Sequence, residues 1–142
     1  MDLGLGNTGS YSLRAVLYLA GEYGKGRRKT REIAEALGVP DANLSLLLSN
    51  LVHHGILTAA AGRYGGYALA RPLAELSLLD VIEVTEGRVH AETCLLDGTG
   101  PPHADCPVHD VWARARDSLV STLDATTLAD IVPQRKAPVS AR

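Results

Sequence analysis

The 142-residue chain has no phenylalanine, one tryptophan, one methionine and two cysteines, and aromatic residues make up 4% of it. A core without aromatic bulk has to be filled by Leu, Val, Ala and Ile, and a core that thin points to burial against a second subunit. Two cysteines cannot build the disulfide framework of a small secreted domain. In a reducing compartment Cys94 and Cys106 are read instead as metal ligands, redox-active thiols or inert residues. No apolar run approaches the roughly 18 residues of a membrane span, and the opening MDLGLGNTGS lacks the basic and apolar regions of a signal peptide. The expectation is a soluble cytoplasmic protein with no membrane partner. Also missing are a phosphate loop, a nucleophile elbow and a compact acid–base pair, which argues against an enzyme.

The net charge of -2 hides an asymmetry. Residues 1–71 carry eight Lys and Arg against five Asp and Glu, whereas residues 72–142 carry six against eleven. Only the first half is suited to a polyanion.

The first half is also where the organisation is clearest. In YSLRAVLYLAGEY, residues 11–23, Leu13, Val16, Leu17 and Ala20 recur at helical spacing. A second, short helix carries Ile33, Ala34 and Leu37 and stops at Gly38. After the turn, Pro40 and Asp41 open a third helix with Leu44, Leu47, Leu48 and Leu51 on one face, ending at Gly55. Two short helices around a glycine turn have the spacing of a helix-turn-helix, whose second helix enters a major groove.

Ile56–Thr58 and the YALAR segment read as two strands joined by a glycine-bearing turn, AAGRYGG, which makes a wing. Pro72 closes it. A helix is expected over 77–87 and an irregular stretch over 87–107, whose glycines, prolines and both cysteines oppose regular structure. A last helix is expected over roughly 108–130, with Val111, Trp112, Ala115, Leu119 and Leu123 on an apolar face wider than a small domain needs, so it is assigned to dimerisation. The fold class is therefore mainly α with a small β-hairpin wing. The organisation is a winged helix-turn-helix DNA-binding domain over 1–86, a sensor loop over 87–107, a dimerisation helix over 108–132 and an irregular tail over 133–142.

The recognition helix turns Asp41, Ala42, Asn43, Ser45, Leu46, Ser49 and Asn50 outward. Of these, Asp41, Asn43, Ser45, Ser49 and Asn50 are the candidate base and groove contacts, and no Arg is present for guanine. Arg31, together with Arg63, Tyr64 and Gly65 of the wing, is the candidate set for phosphate or minor-groove contact. A helix face of this kind can also meet another protein, so an interaction module is an alternative. Cys94 and Cys106, with His109 and His103 nearby, could supply two thiolates and two nitrogens to a metal; two thiols in one loop could equally form a disulfide switch.

YSLRAVLYLA, EIAEALGV, LLSNLVHHGIL, GRYGGYALARP and LSLLDVIEVTEG together resemble the winged-helix repressor family of IscR, NsrR and CymR. The similarity runs from about residue 9 to residue 130, and the G-x-x-G-G-Y wing followed by x-L-x-R-P is its most specific part. It implies a homodimer with a crossing C-terminal helix, recognition helices in major grooves, wings in the flanking minor grooves and a palindromic operator in double-stranded DNA. Many members of that family hold an iron–sulfur cluster on C-x5-C-x5-C, with a histidine soon after in the IscR-like ones. The matching positions here are Cys94, Gly100, Cys106 and His109, so the middle cysteine is absent. The implied metal ligands are Cys94, Cys106 and His109, holding a two-iron (2Fe-2S) cluster rather than a four-iron one, because nitrogen replaces sulfur on one iron of Rieske centres. A cluster-free thiol–disulfide sensor is the alternative.

Overall fold

The computed structural model describes residues 3–88, 94–96 and 106–132. Three helices come first, α1 (Asn7–Gly21), α2 (Thr30–Leu37) and α3 (Asp41–His53), then a hairpin of β1 (Leu57–Ala60) and β2 (Gly66–Leu69). A short 3-10 turn at Leu73–Glu75 leads to α4 (Leu78–Glu86), and the described chain closes with α5 (His109–Ala125) and α6 (Leu128–Ile131). This is the mainly helical winged fold expected from the sequence.

The core is aliphatic, as the composition requires. Val16 and Leu19 of α1, Ile33 and Leu37 of α2, and Leu44, Leu48 and Leu51 of α3 meet Ile56, Leu57, Leu76 and Val81, all essentially withdrawn from solvent. Tyr11, Tyr18 and Tyr67 pack only at its margin. Each buried Leu, Ile or Val contributes about 1.5–3 kcal/mol relative to exposure, so this cluster is what fixes α3 against α1 and α2.

Local chemistry sets the ends of the elements. Gly38 caps α2 at φ 69°, where a residue with a Cβ would be strained. Glu32 reaches back to accept a hydrogen bond from the Lys29 backbone N–H at 3.3 Å, satisfying one donor at the start of α2. Ser77 and Asp80 form a reciprocal capping box at the start of α4, with the Asp80 N–H donating to Ser77 Oγ at 3.1 Å and the Ser77 N–H to Asp80 Oδ2 at 3.0 Å.

Two expectations are corrected. The first helix begins at Asn7 rather than Tyr11. Its first turn lies against the end of α4, with Gly9 beside the Thr85 and Glu86 side chains and the Gly6 N–H donating to Glu86 Oε1 at 3.2 Å. The single helix expected over 108–130 is divided at Thr126. There the chain turns extended, the Leu78 N–H donates to the Thr126 carbonyl at 2.9 Å and the Leu128 N–H to the Leu76 carbonyl at 2.9 Å. Thr127 and Asp130 then cap a new turn. Leu128, fully buried in the core, is the reason the chain comes back.

Candidate nucleic-acid interface and sensor segment

The wing is held by more than its own hairpin. β1 and β2 pair from Leu57 opposite Leu69 to Ala60 opposite Gly66. Beyond them, Arg28 makes a bridge to Tyr67: the Arg28 N–H donates to the Tyr67 carbonyl at 2.9 Å and the Tyr67 N–H to the Arg28 carbonyl at 2.7 Å. The segment before α2 thus lies along β2 as a third, one-bridge strand. Side chains reinforce it, with Lys29 Nζ donating to the Gly62 carbonyl at 3.0 Å and the Arg27 guanidinium to Thr58 Oγ1 at 3.0 Å.

Gly66 makes this approach possible. It has φ 126°, and a Cβ there would fall 2.5 Å from the Arg28 carbonyl oxygen. At Gly65, which is buried, a Cβ would strike the backbone of Ala60 and Ala61. Gly65 is therefore packed within the wing. The tip is solvent-facing: Tyr64 is 86% exposed, and the Arg63 guanidinium lies 5.7 Å from its ring centroid.

Behind the wing, Arg28 Nη2 meets Glu22 Oε2 at 2.8 Å. The hydrogen bond from Arg28 holds the Glu22 carboxyl below its ordinary pKa, and the same bond raises that of Arg28. Arg28 is thereby a structural cation. Arg31 is exposed beside Glu35, at 3.5 Å in an i,i+4 pair of little energetic weight.

On α3 the outward face is as expected. Asp41, Asn43, Ser45, Leu46 and Ser49 are exposed and Asn50 is half-buried. The Ser45 hydroxyl donates back to the Asp41 carbonyl at 3.2 Å, which leaves its lone pairs as acceptors. A groove of about 790 Å³ separates this face from the start of α1, lined by Asn7, Thr8 and Tyr11 on one side and Asn43, Leu46 and Asn50 on the other. Sequence reading placed the α3 residues and the wing tip correctly on the surface; it missed the bond network that ties Arg27, Arg28 and Lys29 to the wing. The signal available was only the density of basic residues over 25–31.

A model of the Rrf2 family, described as an iron-dependent transcriptional regulator, matches residues 5–134. The chain belongs to the Rrf2 family. The HTH-type transcriptional regulator CymR of Bacillus subtilis is 30% identical over 123 residues, covering 87% of this chain and 85% of CymR. The solved structure of B. subtilis CymR, the global cysteine regulator, superposes with a TM-score of 0.79 at 27% identity, over 95% of this chain and all of that one. IscR of T. potens gives a TM-score of 0.72 at 28% identity, covering 94% and 88% of the two chains. An oxidised form of Staphylococcus aureus CymR gives 0.73 at 27% identity, covering 95% of this chain and 100% of that one. As a member of Rrf2 the chain is a DNA-binding transcriptional regulator and not an enzyme. No helix among its described residues is long and apolar enough to cross a membrane.

In this Rrf2 chain both cysteines are free thiols, Cys94 buried and Cys106 half-buried. Cys106 lies three residues before the first residue of α5, and its carbonyl accepts the His109 N–H at 3.3 Å, so Cys106 and His109 share one turn. Among the described residues no group of three or more His, Cys, Asp or Glu gathers as a metal site would. Two thiols and one imidazole also fall short of the four protein donors that a two-iron cluster takes. The described residues therefore do not make a complete cluster site. Gly100, His103 and Asp105, and the tail 133–142, lie outside the described residues.

Proposed function

We propose that this Rrf2 member is a cytoplasmic homodimer that binds a palindromic operator and whose affinity for it is set by the chemical state of Cys94 and Cys106. The observation that carries the DNA reading is the bonded unit of wing and basic segment, Arg28–Tyr67 with Lys29–Gly62, standing beside a recognition helix whose outward face is donors and acceptors with Ala42 and Leu46 among them. In this reading α3 lies in the major groove, with Asp41, Asn43, Ser45, Ser49 and Asn50 along it. Tyr64 stands at the minor groove, and Arg63 beside it, with Lys29 and Arg31, meets phosphates. Dimerisation is supported by α5, where Val111 is 59% and Leu119 47% exposed although both are large apolar residues on one helix.

For the signal, the donor set favours thiol chemistry. Two cysteine thiols joining as a disulfide lose two protons and two electrons, and a peroxide taking them up becomes two molecules of water. Because Cys106 sits one turn before α5, a bond there would reset the start of the helix that spaces the two recognition helices. The solved oxidised form of S. aureus CymR is consistent with this.

A second reading, an iron–sulfur cluster on Cys94, Cys106 and His109 completed from residues outside those described or from a partner subunit, is favoured by the description of the family as iron-dependent. Purification without oxygen separates the two. Colourless, iron-free protein whose DNA binding changes reversibly with mild peroxide, and no longer does so in Cys106→Ser, supports the thiol reading. Coloured protein that contains iron and sulfide, and loses both in Cys106→Ala, supports the cluster.

A further inference from the structure

We infer that Leu46 reads the C5-methyl group of a thymine, making the central turns of α3 a reader of A·T pairs; this rests on the DNA-binding reading above. Leu46 is 80% exposed at the middle of a helix whose other leucines, Leu44, Leu47, Leu48 and Leu51, are all buried. Folding therefore gains nothing from a leucine at this position, where any good helix former would serve.

Its polar neighbours in the groove are Asn43, three residues before, and Asn50, four after, with Ala42 and Ser49 also beside it on the helix surface. Leu46 and the two carboxamides have a definite chemistry. A carboxamide pairs with N6 and N7 of adenine, and the thymine methyl is the one apolar feature a base pair presents in the major groove. No Arg or Lys lies on α3 to take the O6 and N7 acceptors of guanine.

The duplex is favoured over a protein as the occupant because the leucine stands between two carboxamides on the helix of a DNA-binding regulator; Tyr11, Ala42 and Leu47 complete the lining of the groove. Among the described residues other large exposed apolar side chains are Leu3 and Tyr23 at either end of α1, Leu95 and Leu96 of the sensor segment, and Val111 and Leu119 of α5. The remaining one on the winged unit after α3 is Tyr64, at the wing tip beside Arg63.

The test uses full-length protein and duplexes selected by it from a random library. Each thymine of one half-site is replaced in turn by deoxyuridine, which removes only the methyl group. Wild-type protein should lose about fourfold in affinity at one thymine and nothing at the others, the value of one buried methyl group. Leu46→Ala, at an exposed position that leaves the fold intact, should bind the thymine and deoxyuridine duplexes equally. Equal wild-type binding to thymine and deoxyuridine at every position, discrimination retained in Leu46→Ala, or selected half-sites without a fixed thymine would overturn the assignment while leaving the DNA-binding reading standing. Failure of the wild type to select any duplex would overturn both.

Discussion

Arg28 and Tyr67 exchange both of their backbone hydrogen bonds, at 2.9 and 2.7 Å, although one precedes the helix-turn-helix and the other follows it. The wing is thereby fixed to the basic segment on the other side of the two helices, and a displacement of either is felt by both.

The tightest point of that junction is Gly66. Gly66→Ala puts a Cβ against the Arg28 carbonyl and asks alanine to adopt a positive φ, so it should cost about 1–3 kcal/mol and separate wing from basic segment. Thermal unfolding reports the first effect. A loss of DNA affinity that exceeds the fraction unfolded at the assay temperature reports the second. Gly62→Ala, strained by its φ of 95° but with open space at its Cβ, should keep the bridge and so lose less affinity.

Arg63 and Asn43 should fail in different ways. Arg63→Ala is expected to weaken binding to all sequences alike and to lower the slope of log affinity against log salt by roughly one, as removal of a single phosphate-neutralising cation does. Asn43→Ala should leave the salt slope unchanged and alter the preferred bases. Titrations on selected and random duplexes at several salt concentrations distinguish them, and unchanged affinity in both variants would remove the winged unit from DNA contact.

Glu22 makes stability depend on pH in a stated direction. Its folded pKa is depressed by the hydrogen bond from Arg28, so its contribution is present above the ordinary carboxylate pKa of an unfolded chain and is lost as pH falls through the lower folded value. Glu22→Gln should therefore be less stable than wild type at pH 7, by about 1 kcal/mol for a half-buried pair at the surface, with the difference closing in acid. Denaturant melts at pH 7 and below pH 4 measure it; a difference independent of pH would mean that the ion pair contributes nothing.

Much of this was legible in the sequence, for identifiable reasons. The leucines of α3 repeat at helical spacing, Gly38 marks the turn, and the strands flank a glycine-rich loop, so each element announces itself within a dozen residues. What was not legible is long-range. The α1 start at Asn7 is joined to the end of α4 by the Gly6 N–H donating to Glu86 Oε1 at 3.2 Å, a contact across the chain that local pattern does not contain. The Arg28–Tyr67 bridge is of the same kind. The break at Thr126 could have been read, since Thr127 and Asp130 have capping-box spacing, but the apolar positions on either side disguise it as one helix. At the sensor segment, sequence named Cys94, Cys106 and His109. The structure places the last two in one turn and brings no further donor to them among the described residues.

The face of α5 gives a prediction about assembly. Val111→Glu and Leu119→Glu change residues already exposed in the single chain, so each should leave the helical content of the folded subunit unchanged while turning a dimer into a monomer in sedimentation. Dimers that persist in the double variant would move the interface elsewhere.

The most direct test of a dimeric DNA-binding regulator is the stoichiometry and affinity of reduced, full-length protein on a palindromic duplex that it has itself selected. Fluorescence anisotropy and sedimentation of the complex should show two chains per duplex, with half-sites about one helical turn apart and a sharp loss of affinity when one half-site is scrambled. One chain per duplex with no effect of scrambling, or affinity no greater than for random DNA at the same salt, would contradict it.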